Sequence, residues 1–194
     1  MKSVIGTIQF MGKIPLWSFC ILIMIITSCE DFTEVDPPNN QLTGLVVFED
    51  ASTVDAAFAH IYSELRNSAF TSGTTSGLTY LLGHYTDELN LYNPSFQSIE
   101  VYEENNVLPT DGYVQGFWNS GYTLIHASNS ILEGVSASTA LSLEDKQRFL
   151  GEAHFLRAFI HFYLTNLFGD IPYVESTDYR VNSTMGRMEA AMVY

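Results

Sequence analysis

Cysteine is scarce in this chain, and both cysteines lie near the N-terminus. Of 194 residues, only Cys20 and Cys29 are cysteine, so the sequence from residue 30 onward contains no thiol. A domain without thiols can form neither a disulfide nor a cysteine-ligated metal site. We therefore expect packing and hydrogen bonds alone to hold the folded part together.

Basic residues are also few. Eight lysines and arginines stand against 22 acidic residues, which gives a formal net charge of −14. Lys2 and Lys13 belong to the N-terminal segment, so the rest of the chain is more acidic still. Nucleic-acid binding depends on Lys and Arg neutralising phosphates, and no basic stripe is present. The composition argues against nucleic acid and against adsorption to anionic lipid.

No hydrophobic run is long enough for a transmembrane helix. The main run, residues 16–26, has about half the length that such a helix needs. Small residues follow it directly before Cys29, a pattern typical of a lipoprotein signal peptide whose cysteine becomes acylated. We predict a signal peptide at residues 1–28, with Met1 or Met11 as the translation start, and lipid attachment at Cys29.

The segment after the acylated cysteine carries two further signals. The acidic pair Glu30-Asp31 resembles the surface-export signals of Bacteroidetes-type lipoproteins, with a solvated acidic linker as the alternative. Pro-Pro-Asn-Asn at residues 37–40 and few large apolar residues are typical of a flexible connection. We predict an acidic, Pro/Asn-containing tether at residues 29–44 and a helical domain at residues 45–194.

Catalytic motifs are missing from the sequence: it has no glycine-rich phosphate loop, serine nucleophile elbow or His-x-x-x-His zinc pair. Asp87-Glu88 and Glu103-Glu104 are acidic pairs, and glycoside hydrolysis needs two carboxyl groups about 5–10 Å apart across a sugar. Neighbours on a helix point about 100° apart and do not converge on one bond. We interpret these acids as solvated, and we predict no catalytic residue, metal or cofactor.

Apolar residues recurring at three- and four-residue steps predict an all-α domain. The segments with this pattern are residues 49–67, 78–89, 114–135 and 142–168. Their connections are short in the first and second pairs, which predicts two antiparallel helical hairpins. Gly134 is predicted to break the third helix. Asn182-Ser183-Thr184 resembles the cap of a further helix at residues 185–194.

The fourth helix has signals at both ends. Ser142 and Asp145 have capping-box form, and Gly169 with Pro172 predicts an αL cap followed by a stop. The residues predicted to form its buried face are Phe149, Ala153, Leu156, Ile160, Tyr163, Leu164 and Leu167.

Residues 90–112 contain two prolines and no sustained period, so they are predicted to be irregular, and loops of this length usually carry function. The candidate ligand-binding residues in or beside this loop are Tyr92, Asn93, Phe96, Tyr102 and Tyr113. Aromatic rings stack on sugar faces, and amides bind hydroxyl groups, so this set would suit glycan capture. The alternative is a loop held to the domain by its aromatic residues. Trp118, by contrast, is expected in the core.

The sequence GEAHFLRAFIHFYLTNLFGDIPYV, residues 151–174, closely resembles the SusD/RagB family signature, GEArFLRAyyyFdLvrlFGdvPlv. A second match is Trp118-x-x-x-Tyr122-x-x-Ile125-x-x-x-Asn129. The resemblance implies tetratricopeptide-like helical hairpins in a right-handed α-α superhelix. Family members are several times longer, so it also implies that this chain corresponds to an N-terminal, SusD-like region truncated at its C-terminus.

We interpret the helix that carries this signature as a packing element without a catalytic role. Arg157 is predicted to pair with Glu152, Asp170 or another acid and to orient the turn after the helix. His154 and His161 share a helix face, but no third metal ligand is suitably spaced. They are predicted to be surface or interface histidines.

By resemblance, the protein would be a non-catalytic nutrient-binding lipoprotein of the outer membrane, anchored through Cys29 and exposed at the cell surface. It would capture an oligosaccharide or other nutrient and deliver it to a TonB-dependent, SusC-like outer-membrane transporter. Two alternatives stay open. A surface-anchored glycoside hydrolase would require facing carboxylates in a cleft, and a helical scaffold lipoprotein would bind only protein.

Overall fold

The fold consists of helices joined by turns and one longer loop, as seen in a computed structural model that describes residues 47–93, 95 and 97–194. The helices in this part are α1 (Ala51–Asn67), α2 (Leu78–Tyr85), α3 (Gln97–Glu103), α4 (Gly112–Ala137), α5 (Leu143–Phe168), α6 (Tyr179–Asn182) and α7 (Ala190–Val193). Across those residues, strand-like pairing is limited to an antiparallel bridge between Ile171 and Met188. The predicted all-α class is confirmed.

Several predictions concern residues outside this set. The signal peptide at residues 1–28, the tether at residues 29–44, lipidation of Cys29 and the ligand role of Phe96 therefore stay predictions. In the part of the chain that the structure describes, no helix combines the length and the apolar character needed to cross a membrane.

Helix α1 forms where its pattern predicted. Asp50 caps its N-terminus by accepting a hydrogen bond from the Ser52 backbone N–H at 2.7 Å. The buried face is Val54, Phe58, Ile61 and Leu65. These positions follow the three- and four-residue steps of an amphipathic helix, and the observed start differs from the predicted one by two residues.

The long helices α4 and α5 pack along each other as the predicted hairpin and supply half of the buried apolar residues of the core. They approach closely at Gly121, where an added Cβ would lie 2.8 Å from Leu164 Cδ2. Gly134 does not break α4, which continues to Ala137. The Phe48 ring lies against Gly134 where a side chain would otherwise stand, so this glycine provides packing space inside a continuous helix.

Both ends of α5 follow the sequence signals. The Ser142 hydroxyl accepts from the Asp145 N–H at 3.1 Å and donates to the Asp145 carboxylate at 2.6 Å. Gly169 has a φ of 70°, as a C-terminal glycine should, but its ψ of −122° lies outside the αL region. The predicted αL conformation was therefore wrong, whereas the prediction that a glycine ends this helix was right.

The predicted pairing of the first two helices differs from the structure. Helix α2 ends at Tyr85, because the chain turns at Asp87, whose φ is 61°. The Glu88 and Leu89 N–H groups both donate to the Gly83 carbonyl at 2.9 Å, which folds Leu89 back over Gly83. Helix α2 is therefore shorter than the predicted segment, residues 78–89. It packs mainly on α3, whereas α1 packs on α4.

Two segments were assigned wrongly. The segment 90–112 was predicted to be irregular, yet it contains α3, which buries Ile99 and Tyr102. Two buried residues in a seven-residue helix are too few to show a helical period in the sequence. A helix was predicted at residues 185–194, but residues 182–184 end α6, and the Ile171–Met188 bridge delays α7 to Ala190.

Candidate functional site

The polar residues of α4 and α5 hold the chain that leaves α5. Arg157 Nη1 donates to Asn129 Oδ1 at 3.0 Å, and Arg157 Nη2 donates to Glu175 Oε1 at 3.1 Å. Asn129 Nδ2 donates in turn to the Val174 carbonyl at 3.2 Å. Asn129 is fully buried, and the Arg157 side chain is only 11% exposed. The two bonds of Asn129 are therefore largely shielded from water, which strengthens them, whereas the Glu175 side chain is 57% exposed.

Tyr122, which precedes Asn129 in α4, makes a further contact with the chain that leaves α5. Its hydroxyl donates to the Pro172 carbonyl at 2.8 Å. Burial raises the pKa of Tyr122 to about 12, so the hydroxyl keeps its proton at neutral pH. We call the four residues that contact this backbone the exit clamp: Tyr122, Asn129, Arg157 and His161.

His161 was predicted to be a surface or interface histidine; it is 1% exposed and therefore does not lie at the surface. Its Nδ1 lies 2.9 Å from the Arg157 carbonyl, and its Nε2 accepts from the Val174 N–H at 3.3 Å. A carbonyl can only accept, so Nδ1 must carry the hydrogen and the ring must be neutral. Burial lowers the pKa of His161 below its ordinary value, and the bond to the Arg157 carbonyl opposes this effect. Of the two histidines in α5, His154 is the exposed one.

This arrangement predicts that acid weakens the fold through His161. Its folded-state pKa lies below that of the unfolded chain, so the unfolded chain binds more protons as pH falls from about 7 toward 5. The free energy of unfolding should therefore decrease over that range, because the protonated ring can no longer accept from Val174. Chemical unfolding at several pH values should show a flatter slope for His161→Gln. The exposed-site control His154→Gln should keep the wild-type slope, and equal slopes for all three proteins would contradict the assignment.

Arg157 does not take the partners named from the sequence. Glu152 accepts instead from the Tyr62 hydroxyl at 2.8 Å, and the Asp170 carboxylate accepts from the Ala190 N–H at 2.9 Å. The acid that pairs with Arg157 is Glu175, beyond the turn. Arg157 therefore orients the segment after the turn at Gly169 and does not hold the turn itself.

Two of the candidate loop aromatics attach the loop to the domain. Tyr102 is 3% exposed, and its hydroxyl donates to Asp111 Oδ1 at 2.6 Å. The same Asp111 oxygen caps α4 by accepting from the Tyr113 and Val114 N–H groups. Tyr113 is half-buried, with its ring edge-on to Tyr102 at 6.3 Å. Burial raises the pKa of Tyr102, and Asp111 adds to the shift. Tyr102 is thus closed to ligand.

Tyr92 and Asn93 are placed differently. Tyr92 is 100% exposed, and Asn93 is exposed with its Oδ1 accepting from the Ser95 N–H at 3.0 Å. Just before them, the Leu91 N–H donates to Glu103 Oε1 at 3.1 Å, which fixes the start of the loop against α3. The structure therefore brings these two candidate residues together at an accessible surface.

The two acidic pairs lie on different elements, one in the turn after α2 and one at the end of α3. Glu103 is engaged with the loop backbone, and Asp87 and Glu88 lie in the exposed turn after α2. Within the described residues, no group of three or more histidine, cysteine or acidic side chains could hold a metal ion.

A groove that the sequence did not predict opens beside Trp118. Its lining residues are Pro109, Thr110, Val114, Gln115, Trp118, Asn119, Phe168 and Arg187, and we call it the Trp118 groove. Trp118 was expected in the core but is half-buried: its ring contacts Tyr122 at 4.8 Å and Phe168 at 5.1 Å, and the rest faces the groove. The Arg187 guanidinium lies 5.7 Å from the indole centroid.

With this geometry known, comparison with characterised sequences is informative. A protein-family model for SusD-like proteins, described as "Starch-binding associating with outer membrane", matches residues 31–193. The chain belongs to the SusD-like family. Two curated relatives from Formosa agariphila, SusD-like proteins P25 and P2, are each 28% identical to it, over 160 and 163 residues. These alignments cover 80% and 81% of this chain and 30% of each relative.

The two motifs that resemble the SusD/RagB signature now have a physical role in this SusD-like chain. Tyr122 and Asn129 come from the match in α4, and Arg157 and His161 come from the match in α5. All four contact the backbone of residues 172–175 or one another through the bonds described above. The signature therefore specifies how the helical hairpin holds the segment that follows it.

Sequence reasoning missed three residues of the Trp118 groove. Gln115 and Asn119 flank Trp118 at helical spacing, so an exposed polar pair around a tryptophan was a usable signal. Arg187 gave no such signal, because it approaches Trp118 only after the chain turns back at Gly169.

Proposed function

We propose that this protein is a non-catalytic outer-membrane lipoprotein, anchored at the cell surface through Cys29, that captures a glycan and delivers it to a TonB-dependent, SusC-like transporter. Membership of the SusD-like family supports the association with the outer membrane and the binding of a glycan. The observation that carries the proposal is the fully exposed Tyr92 beside Asn93.

Tyr92 has the properties of a sugar-stacking residue. Its ring is open to solvent, and a planar ring presents a large apolar face at a small entropic cost. Asn93 adds an amide that can bind sugar hydroxyl groups. The bond from the Leu91 N–H to Glu103 fixes the chain directly before Tyr92. A loop held in this way loses less freedom on binding, which favours affinity.

The outer side of α5 supports contact with a protein partner. Phe155 is 63% exposed and stacks on Phe159 at 6.0 Å, and Phe162 is 51% exposed next to Tyr194. Contiguous apolar residues at a surface mark interaction sites more often than singly exposed ones do. This surface suits a transporter and also suits the alternative of a scaffold that binds only protein, so glycan binding is the property that separates the two functions.

Calorimetric titration of the full-length protein with a panel of oligosaccharides tests the proposal. We expect at least one glycan to bind, and we expect Tyr92→Ala to weaken that binding about tenfold, since a lost aromatic contact costs roughly 1.4 kcal/mol. Tyr179, which is 76% exposed but lies outside the loop, provides the matched control. Tyr179→Ala should leave affinity unchanged.

Two results would contradict the proposal. One is the absence of glycan binding together with failure to co-purify a transporter from outer-membrane extracts. The other is hydrolysis of a bound glycan, detected as new reducing ends, which would favour the glycoside hydrolase alternative.

A further inference from the structure

The charge at the Trp118 groove is opposite to that of the protein. The chain has a net charge of −14, yet the one charged side chain among the groove's lining residues is Arg187. Charges further away than about 8 Å are largely screened at physiological ionic strength. Arg187 is therefore the charge that a ligand in the groove contacts directly, while the carboxylate of neighbouring Asp170 accepts from the Ala190 N–H and that of Asp111 accepts from Tyr102 and the start of α4.

Arg187 also differs from three other arginines of the described chain in the kind of group to which it donates. Arg148, Arg157 and Arg180 each pair with a carboxylate, those of Asp55, Glu175 and Asp178. Arg187 instead donates from Nη1 to the Asp170 backbone carbonyl at 3.0 Å. That bond orients the guanidinium without neutralising it, so the remaining donors can bind an anionic group.

Trp118 supplies a rigid apolar surface beside this charge. Tyr122 and Phe168 hold its ring through contacts at 4.8 Å and 5.1 Å. Gln115 and Asn119 are exposed on either side of it and carry amides that can bind hydroxyl groups. A fixed aromatic ring with amides and one cation is a combination suited to a sugar that bears an acidic group.

The site extends further along α4. An adjoining groove shares Trp118 and Asn119 and continues to Tyr122, Thr123 and His126. Its hydroxyl and imidazole groups can bind the next sugar of a chain. The surface therefore offers space for more than one sugar residue.

We propose that the Trp118 groove binds an acidic oligosaccharide, whose carboxylate or sulfate group pairs with Arg187 while a sugar ring packs against Trp118. This inference rests on the proposed function, glycan capture, and assigns the glycan class at a place separate from Tyr92.

The test compares ligands that differ only in the acidic group. The full-length protein is titrated with an oligogalacturonate, with the same oligosaccharide after reduction of its carboxyl groups, and with a sulfated oligosaccharide beside its desulfated form. We expect at least one acidic ligand to bind about tenfold more tightly than its neutral counterpart. Arg187→Gln should remove this preference, whereas Arg187→Lys should keep part of it because the charge is retained.

Arg180→Gln is the matched control, since Arg180 is an exposed arginine outside the groove. It should leave the preference unchanged, and thermal unfolding of each variant checks that it is folded. Equal binding of acidic and neutral ligands, or an equal loss of both in Arg187→Gln, would overturn the inference. If Tyr92→Ala still weakens a neutral glycan in that case, the proposed function stands without it. If no glycan binds at all, both are overturned.

Discussion

Replacing Phe149 with alanine is expected to lower the free energy of unfolding by about 3–5 kcal/mol. Phe149 is fully buried, and its ring stacks on Phe58 at 5.8 Å with an interplanar angle of 19°. This contact joins α5 to α1, and the Arg148 guanidinium covers the same ring at 4.0 Å. Truncation removes apolar burial and leaves a cavity between two helices that cannot easily close. Urea unfolding followed by circular dichroism measures the loss.

The matched control is Phe155→Ala in the same helix. Phe155 is 63% exposed, so its truncation should change the free energy of unfolding by no more than about 0.5 kcal/mol. If both variants were destabilised equally, α5 would not bury the face that its periodicity assigns. Domains are stable by only about 5–15 kcal/mol, so the expected loss in Phe149→Ala is a large fraction of the total.

Replacing Asn129 with alanine should cost about 3 kcal/mol, although the side chain is small. Asn129 is fully buried, and its amide joins Arg157 to the Val174 carbonyl. Its loss leaves a buried carbonyl without its donor and removes a neutral partner from a largely buried guanidinium, and unsatisfied buried groups cost more than the bond itself contributes. Urea unfolding gives the global effect.

Hydrogen exchange separates this effect from a general loss of packing. Release of the exit clamp should accelerate exchange of the Val174 N–H and its neighbours more than that of α1. Asn166→Ala is the control, because Asn166 is exposed and bonds only to a carbonyl of its own helix, that of Phe162. Unchanged amide exchange at residues 173–175 in Asn129→Ala would contradict the clamp.

The ends of α5 were among the most predictable features of the fold. Ser142 and Gly169 act at the ends that their sequence positions indicate, because capping joins residues only two to four positions apart. The same local reasoning failed at Gly134, whose role is to admit Phe48, and at α3, which is too short to display a period.

The candidate site was predictable only in part. Tyr92 and Asn93 lie at an accessible surface, as the loop interpretation required, whereas Tyr102 is buried. Tyr102 therefore follows the alternative of a loop held to the domain, whereas the ligand role of Tyr92 and Asn93 stays a prediction. The spacing of these aromatic residues along the sequence could not distinguish the buried ones from the exposed ones. The burial of Tyr102 depends on its bond to Asp111 and on its position in the short helix α3.

The sequence by itself determined the helical class, the apolar faces of the long helices, the two ends of α5 and the SusD-like family, because each depends on neighbours along the chain or on a contiguous motif. Only the tertiary structure decided which polar groups meet. Arg157 and Asn129 are 28 residues apart, Asn129 and Val174 are 45 apart, and Tyr122 and Pro172 are 50 apart. Arg187 and Trp118 are also far apart in the sequence, and they meet because the chain turns back after α5. Such pairs form when apolar faces pack and bring distant segments together, so no local pattern specifies them.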